Sequence, residues 1–461
     1  MHGRVRKVAV GLTAAWVVAL IGMCLVLAAN AVTQSLTPVP LVFQIRKAFH
    51  HGVLPSRTTQ DLDRERGALL YNDCLILGMA LNRDPGLAVR IVSPALLESP
   101  HDEAINKDAC AILHDVAISR NEHAYRGKPY HRYVSAFVPL AAALVSEHGV
   151  AAVKRTMLIL NYAALGALLA MGIASCIAAA RAGEAIPFYR VILPLGLVLF
   201  SGVEFFAQNL SIGMADLGLY GLIALLFYAH PEQWPRAALA IIAASFGVYI
   251  AAFEFFTGQI PVMLALPTAL LAMKAHDKGM LRQAVMTGAL FTLFAAAGAG
   301  FLFAQKIMLA FLIDGPGALS AFVNQLATRI GDLSYGVGTM VVYMAGRADR
   351  IGQGQMALGL GYALCSTLLG IAGLMALARH GGFAFHRALV IAASMMVIVL
   401  WHIVFRNHST IHSEFMVRST SFVFASGWII AGFALSAWLS ETSALAAWRA
   451  VNPAGRASNP R

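Results

Sequence analysis

The sequence predicts an all-α, polytopic membrane protein: a bundle of about ten to twelve spans beneath a large helical loop that follows the first span. Three observations carry this. The 461 residues are 59% hydrophobic and only 12% charged, with mean hydropathy +0.69, whereas a soluble domain carries about 25% charge. Apolar runs near the roughly 20 residues that cross a bilayer recur from end to end. The longest stretch between them, residues 31–133, has apolar residues at helical spacing rather than a linker composition.

The first span is Val8–Asn30, preceded by Arg4, Arg6 and Lys7. The small residues of "LAANA" imitate a signal-peptide cleavage site, but the apolar run is longer than a signal core, so it reads as an uncleaved span. In the loop Ala31–Tyr133, "LLYNDCLILGMAL" (Leu69–Leu81) and "AINKDACAILHDVAI" (Ala104–Ile118) place apolar residues three and four apart, the pattern of amphipathic helices. "NRDPG" (Asn82–Gly86) and "SRNEHAYRGKPYHRY" (Ser119–Tyr133) have turn and loop chemistry. Val134–Val145 is short for a span and reads as an interfacial or re-entrant helix. The remaining candidate spans are Arg155–Ala180, Val191–Phe206, Ser211–Ala229, Ala237–Phe256, Ile260–Met273, Gly288–Ile313, Met356–Leu377, Ala388–Phe405 and Ser419–Leu439. The organisation is therefore a first span (1–30), a cap (31–133), a multispan bundle (134–440) and a tail (441–461). No solenoid-type repeat is present.

The formal charge is +11. In this setting it orients spans and favours anionic lipid rather than nucleic acid. With Arg4, Arg6 and Lys7 inside, alternation puts the loops holding Arg181, Arg236, Lys274, Lys278, Arg282, Arg379 and Arg387 inside as well, together with the tail. The expectation is a multi-pass protein of a bacterial inner membrane whose cap faces the periplasm. Cys24, Cys176 and Cys365 lie in spans, while Cys74 and Cys110 share the cap and could pair there. No CxxC, HExxH, Walker or dinucleotide-binding pattern occurs.

That topology gathers polar residues on the outer side: Glu204, Asp216, Glu254 and the motif "RNHSTIHSEFMVRS" (Arg406–Ser419). Each acid alone is a helix-end residue reaching the interface. Together with two histidines and an arginine they predict a polar outer cavity, because hydrocarbon penalises such groups without a use. An enzyme there has no ATP or nucleotide sugar and must use a flipped donor such as a polyprenyl-linked sugar. Transfer needs a carboxylate to take the acceptor proton, and cations or donors to hold the leaving phosphate. Asp73, in an apolar surround that raises a carboxyl pKa, is the candidate base. Arg406, His408, His412 and Arg418 are the candidate phosphate grip, His408 and His412 sharing a helix face. Asp61 and Asp63 in "DLD" look like the acidic pair that soluble sugar transferases use with a divalent ion, which leaves Mg²⁺ or Mn²⁺ open as a cofactor with no certain ligand set.

"YNDC" (Tyr71–Cys74), "YHRYVSAFVPL" (Tyr130–Leu140), "QNLSIGMAD" (Gln208–Asp216), "FEFFTGQIP" (Phe253–Pro261), "LSAFVNQLATR" (Leu319–Arg329) and "RNHSTIHSEFMVR" (Arg406–Arg418) together resemble the GT-C superfamily of integral-membrane glycosyltransferases, in a bacterial multispan branch. The resemblance implies a GT-C-like fold. It also implies sugar transfer from a polyprenyl-phosphate donor to a glycan or lipid acceptor on the outer face, with an acid of the first outer loop as base. Asp73 matches that acid, with Asp61 and Asp63 as rivals. Tyr71, Asn72, Tyr130, His131, Arg132, Asn209, Asp216, Glu254 and Asn407 are the implied substrate contacts. The chain departs from the pattern in placing Asp73 43 residues beyond Asn30, and in having "RYVSA" where relatives carry "RYWHG"-like residues. Rival readings are a transporter or flippase of lipid-linked saccharides, and an O-antigen ligase or polymerase. The first should show polar groups on the inner halves of spans; the second usually has its long loop late in the chain.

Overall fold

The structure is a computed structural model, and it describes residues 2–36, 38–57, 64–103, 105–119, 124–131, 133–254, 258–330, 339 and 356–451. Among these the chain is overwhelmingly helical, and the strands form one two-stranded ribbon.

The cap is built first. Helix α1 (His2–Ser35) leads into α2 (Val39–His50), α3 (Arg64–Leu81) and α4 (Leu87–Val92), then strand β1 (Ala95–Glu98), α5 (Ala109–His114), β2 (Arg126–Pro129) and α6 (Phe137–His148). The strands pair antiparallel, Ala95 opposite Pro129 and Glu98 opposite Arg126. The apolar faces of α2, α3, α5 and α6 meet over Ile45, Leu77, Leu113 and Phe137 in a core of the cap's own, so burial of these side chains is what orders the loop. The helix expected over 104–118 is regular only from Ala109. Asp108 accepts hydrogen bonds from the Cys110 and Ala111 amides at 3.1 and 3.0 Å, which fixes the start there. Beyond His114, Asp115–Ser119 continue as one wider turn.

Cys74 and Cys110 are joined by a disulfide that ties α3 to α5 across 36 residues. Closing a loop of that length stabilises by about 4 kcal/mol on the chain-entropy account. Cys110→Ala should therefore speed hydrogen exchange in α3 and α5 by at least 100-fold while leaving the spans protected, as read by exchange mass spectrometry.

The bundle follows as α7 (Val150–Ala182), α8 (Tyr189–Phe200), α9 (Val203–Phe206), α10 (Ile212–Tyr228), α11 (Arg236–Phe253), α12 (Gln259–Lys274), α13 (Lys278–Asp314), α14 (Pro316–Ile330), α15 (Met356–His380), α16 (Gly382–Val404), α17 (Arg406–Ile411), α18 (Ser413–Met416) and α19 (Thr420–Val451). Among the described residues seven helices are long and apolar enough to cross a membrane: Val8–Ser35, Val150–Ala182, Arg236–Phe253, Lys278–Asp314, Gly361–Arg379, Gly382–Val404 and Thr420–Leu439. The chain is thus an all-α, multi-pass membrane bundle. Three expected spans are shorter apolar helices, α8, α10 and α12, of 12, 17 and 16 residues. The expected span Val191–Phe206 is broken because Gly202 takes φ +65° and restarts the chain as α9, a conformation glycine adopts without penalty.

Helices α1, α11 and α13 pack together, α12 lies between α13 and α16, and α15, α16, α19 and α8 form the other flank. The α11–α13 contact is close: a Cβ on Gly247 would sit 1.9 Å from the Ala295 carbonyl oxygen. Small residues permit such backbone approach where lipid offers no hydrophobic drive. Helices α14, α17 and α18 lie at the same end of the bundle as the cap.

Candidate functional site

Where the cap meets the bundle there is a layer of buried polar side chains. Its first part centres on Asp73 in α3, which is wholly buried. Lys154, in the first turn of α7, donates to Oδ2 and forms an ion pair with it. Asn209 Nδ2 and the Leu210 amide both donate to Oδ1, at 3.0 and 2.9 Å. Asn209 in turn accepts from the Ser211 and Ile212 amides through its own Oδ1, which satisfies the first free amide of α10. Burial pushes the Asp73 carboxyl up from its ordinary range, against the pull of Lys154. The apolar surround anticipated in the sequence is there. The access a base requires is not: with no exposed surface and both oxygens engaged, Asp73 ties three elements together. Asn72 is buried beside it, and Tyr71 is half-buried on the same helix.

The second part joins α10, α12 and the segment before α19. Arg418 is 3% exposed and donates from Nη1 to Asp216 Oδ1 at 2.7 Å, with Nη2 4.0 Å from Glu254 Oε1. Gln259 donates its side-chain amide to the same Asp216 oxygen, and its backbone amide to Glu254 Oε1 at 2.7 Å. Gly258, at φ +112°, makes this turn possible, its Cα side lying against Phe415, Met416 and Ser419. Both hydrogen bonds to Asp216 thus fall on Oδ1. Two carboxylates around one guanidinium is a charge-rich arrangement for the interior, where each ion has a large desolvation penalty.

The motif Arg406–Ser419 folds back over this cluster. The His408 and His412 rings lie 4.7 Å apart, as helical spacing requires. His402 bonds Ser409 and Ser419 through its two ring nitrogens, at 3.1 and 2.9 Å, pinning α17 to the start of α19. Asn407 donates to the Thr328 carbonyl of α14, and Arg329 of that helix donates to the Tyr133 hydroxyl. Arg406 is half-buried. The four-residue grip anticipated from the sequence is divided: Arg418 turns to Asp216 and Glu254, while His408 and His412 face one another. Among the described residues many of the polar groups anticipated on the outer side bond one another, while Gln259 Oε1 and Asn407 Oδ1 are buried with no hydrogen-bond partner.

The third part joins His131 to residues that the sequence reading does not single out. Lys306 of α13, 1% exposed, donates to the Val92 carbonyl and, at 2.7 Å, to Ser93 Oγ. Ser93 Oγ is 2.8 Å from His131 Nδ1, and His131 Nε2 is 2.8 Å from Asp314 Oδ2. A carboxylate only accepts, so the ring proton faces Asp314 on Nε2, and in the neutral imidazole Nδ1 then accepts from the Ser93 hydroxyl. The Tyr130 and Tyr133 rings lie with centroids 5.4 Å apart and planes tilted by 51°. Lys306 hides in "FAQKIML" and Asp314 at the end of a span. A lone charge one or two turns from a span end was the available signal. Arg132, Asp61 and Asp63 lie outside the described residues. Among the described residues no group of three or more His, Cys, Asp or Glu side chains is placed to hold a metal ion.

Burial pushes the His131 imidazole below its ordinary range, Lys306 adding to the push and Asp314 opposing it. A histidine depressed in the folded state binds its proton more readily when unfolded. Its contribution to stability is therefore lost as pH falls below the usual value of about 6.5. The melting temperature should drop between pH 7.5 and 5, and His131→Gln should reduce that drop, as measured by thermal unfolding in detergent.

Compared with known proteins, the chain matches no family model, no curated protein and no solved structure.

Proposed function

We propose that the chain is a GT-C-type membrane glycosyltransferase. It moves a sugar from a polyprenyl-phosphate donor to a cell-envelope glycan or lipid acceptor, at the periplasmic face of a bacterial inner membrane. The observation that carries this reading is Arg418 buried between Asp216 and Glu254 at the cap end of the bundle. Ionised groups at such depth are costly and are retained where they act on a substrate.

The chemistry assigns the parts. Arg418 presents a planar fork that suits a phosphate and takes up the charge of the leaving polyprenyl phosphate. Asp216 is the acceptor base, since Oδ2 is not engaged by either of its donors. The acceptor hydroxyl gives its proton to Asp216, its oxygen bonds the sugar C1, and the C1–O bond to phosphate breaks with its electron pair leaving on the phosphate. Glu254 holds Arg418 in place, and His408, His412 and Arg406 line the donor side. The base role thus passes from Asp73 to Asp216, and Asp73 with Asn209 sets the frame. Tyr130 and His131 sit where the cap meets the bundle, at the mouth through which an acceptor arrives.

Transport of a lipid-linked saccharide is the second reading. It is favoured by a cavity of about 490 Å³ at the far end of the bundle, lined by Arg190 and Lys274, because alternating access needs polar surfaces at both ends. Proteoliposomes supplied with a panel of polyprenyl-phosphate sugars separate the two. New glycosidic linkages formed by the wild type but not by Asp216→Asn support transfer. Passage of the lipid-linked sugar across the bilayer without a new linkage supports transport.

A further inference from the structure

The cavity just named has no role in the transfer chemistry. It lies far from the cap: from Lys154, which meets Asp73, to Ser175 on its wall, α7 advances about 30 Å at 1.5 Å per residue. The ends of α7 and α12, the starts of α8 and α13, and the linker at His230–Glu232 enclose it. At about 490 Å³ it falls within the roughly 300–1,000 Å³ typical of ligand sites.

Two cations shape it. Lys274 donates to the Leu226 and Ala229 carbonyls at 3.2 and 2.6 Å. Arg190 donates to Ser175 Oγ and the Phe227 carbonyl, each at 3.1 Å. Both therefore bind the last carbonyls of α10, a helix end that favours positive charge. Such bonds are to neutral acceptors, and Glu232 of the cavity wall acts on Lys274 only at a distance, without a contact ion pair. Among the described residues neither Lys274 nor Arg190 has a carboxylate within ion-pair distance, and Arg190 Nε is buried with no hydrogen-bond partner. Glu232, the acid of the wall nearest in sequence to Ala229, is engaged by His230 at 2.9 Å, and Glu184 is exposed at the rim. The Arg190 guanidinium is held over the Tyr228 ring at 5.0 Å, which fixes its plane.

We propose that this cavity binds a phosphate group, with Lys274 and Arg190 as its cationic ligands. A guanidinium whose Nη1 and Nη2 each keep an N–H beyond those given to Ser175 and Phe227, and an ammonium with a spare proton, match a tetrahedral anion with several acceptor oxygens. The phosphate can belong to a lipid headgroup or to a soluble compound. The inference is independent of the transfer reading, since it uses neither the cap nor Asp216.

The test is calorimetric titration of the full chain, in nanodiscs of purely zwitterionic lipid, with inorganic pyrophosphate and separately with short-chain phosphatidic acid. Saturable one-to-one binding of either probe is expected. It should be weakened at least ten-fold in Lys274→Gln, which keeps the hydrogen bonds to the carbonyls but removes the charge, and retained in Lys274→Arg. Ala178→Trp puts bulk into the cavity wall from α7 at a position that bonds neither cation, and should abolish binding even if Lys274→Gln fails to fold. Tighter binding of pyrophosphate identifies a soluble ligand, and tighter binding of phosphatidic acid a headgroup. Failure of both probes to bind the wild type, or undiminished binding in Ala178→Trp, overturns the proposal.

Discussion

Replacing Asp73 with alanine lowers stability by about 3–5 kcal/mol, the range for breaking one side of a buried ion pair. The Lys154 ammonium, 13% exposed, loses its counter-charge. Asn209 Nδ2 loses its bond to the carboxylate and so does the Leu210 amide, and a buried amide left unpaired is penalised. Asn209 also accepts from the first amide of α10, so the damage reaches the helix that carries Asp216. Replacing both partners by apolar residues of similar size, Asp73→Leu with Lys154→Met, should recover most of the loss, because the desolvation penalty disappears with the charges. Thermal unfolding followed by circular dichroism checks this. A change below about 1 kcal/mol in Asp73→Ala would show that the carboxylate does not hold the cap to the bundle.

The second large effect is at Arg418. Arg418→Ala leaves Asp216 and Glu254 together without their shared cation, so it should both destabilise the fold and abolish transfer. Arg418→Lys separates these roles. A lysine keeps the charge between the two acids but cannot present the planar fork. Its melting temperature should stay within a few degrees of wild type, while transfer falls about 100-fold or more, as when one donor to developing charge is removed. Equal transfer by wild type and Arg418→Lys would remove Arg418 from the donor site.

What the sequence makes legible follows its physics. The apolar runs at helical spacing announce the spans and the cap helices, because one-dimensional periodicity records which face is buried. Cys74 and Cys110 stood out by sharing the cap, and they are bridged. The break at Gly202 was hidden, since hydropathy does not register one residue's backbone conformation. The partners of each charge were hidden too. Asp73 reads as an acid in an apolar helix, and nothing local reveals that Lys154, 81 positions on, meets it. Arg418 and Asp216 are 202 positions apart. The sequence brings these residues to one end of the bundle by topology alone, and only the three-dimensional packing divides a tether from a charged cluster. Lys306 is not legible in the sequence because its partners are a backbone carbonyl and a serine, neither of which marks a sequence.

The most direct test of the account compares sugar transfer per folded molecule in Asp73→Asn and Asp216→Asn, each reconstituted with the donor that the wild type uses. Asp73→Asn, less stable but folded, should keep transfer within about ten-fold of wild type, while Asp216→Asn should lose at least 100-fold, the scale of a general base. Loss of transfer in Asp73→Asn with activity intact in Asp216→Asn would contradict it and return the base to the cap.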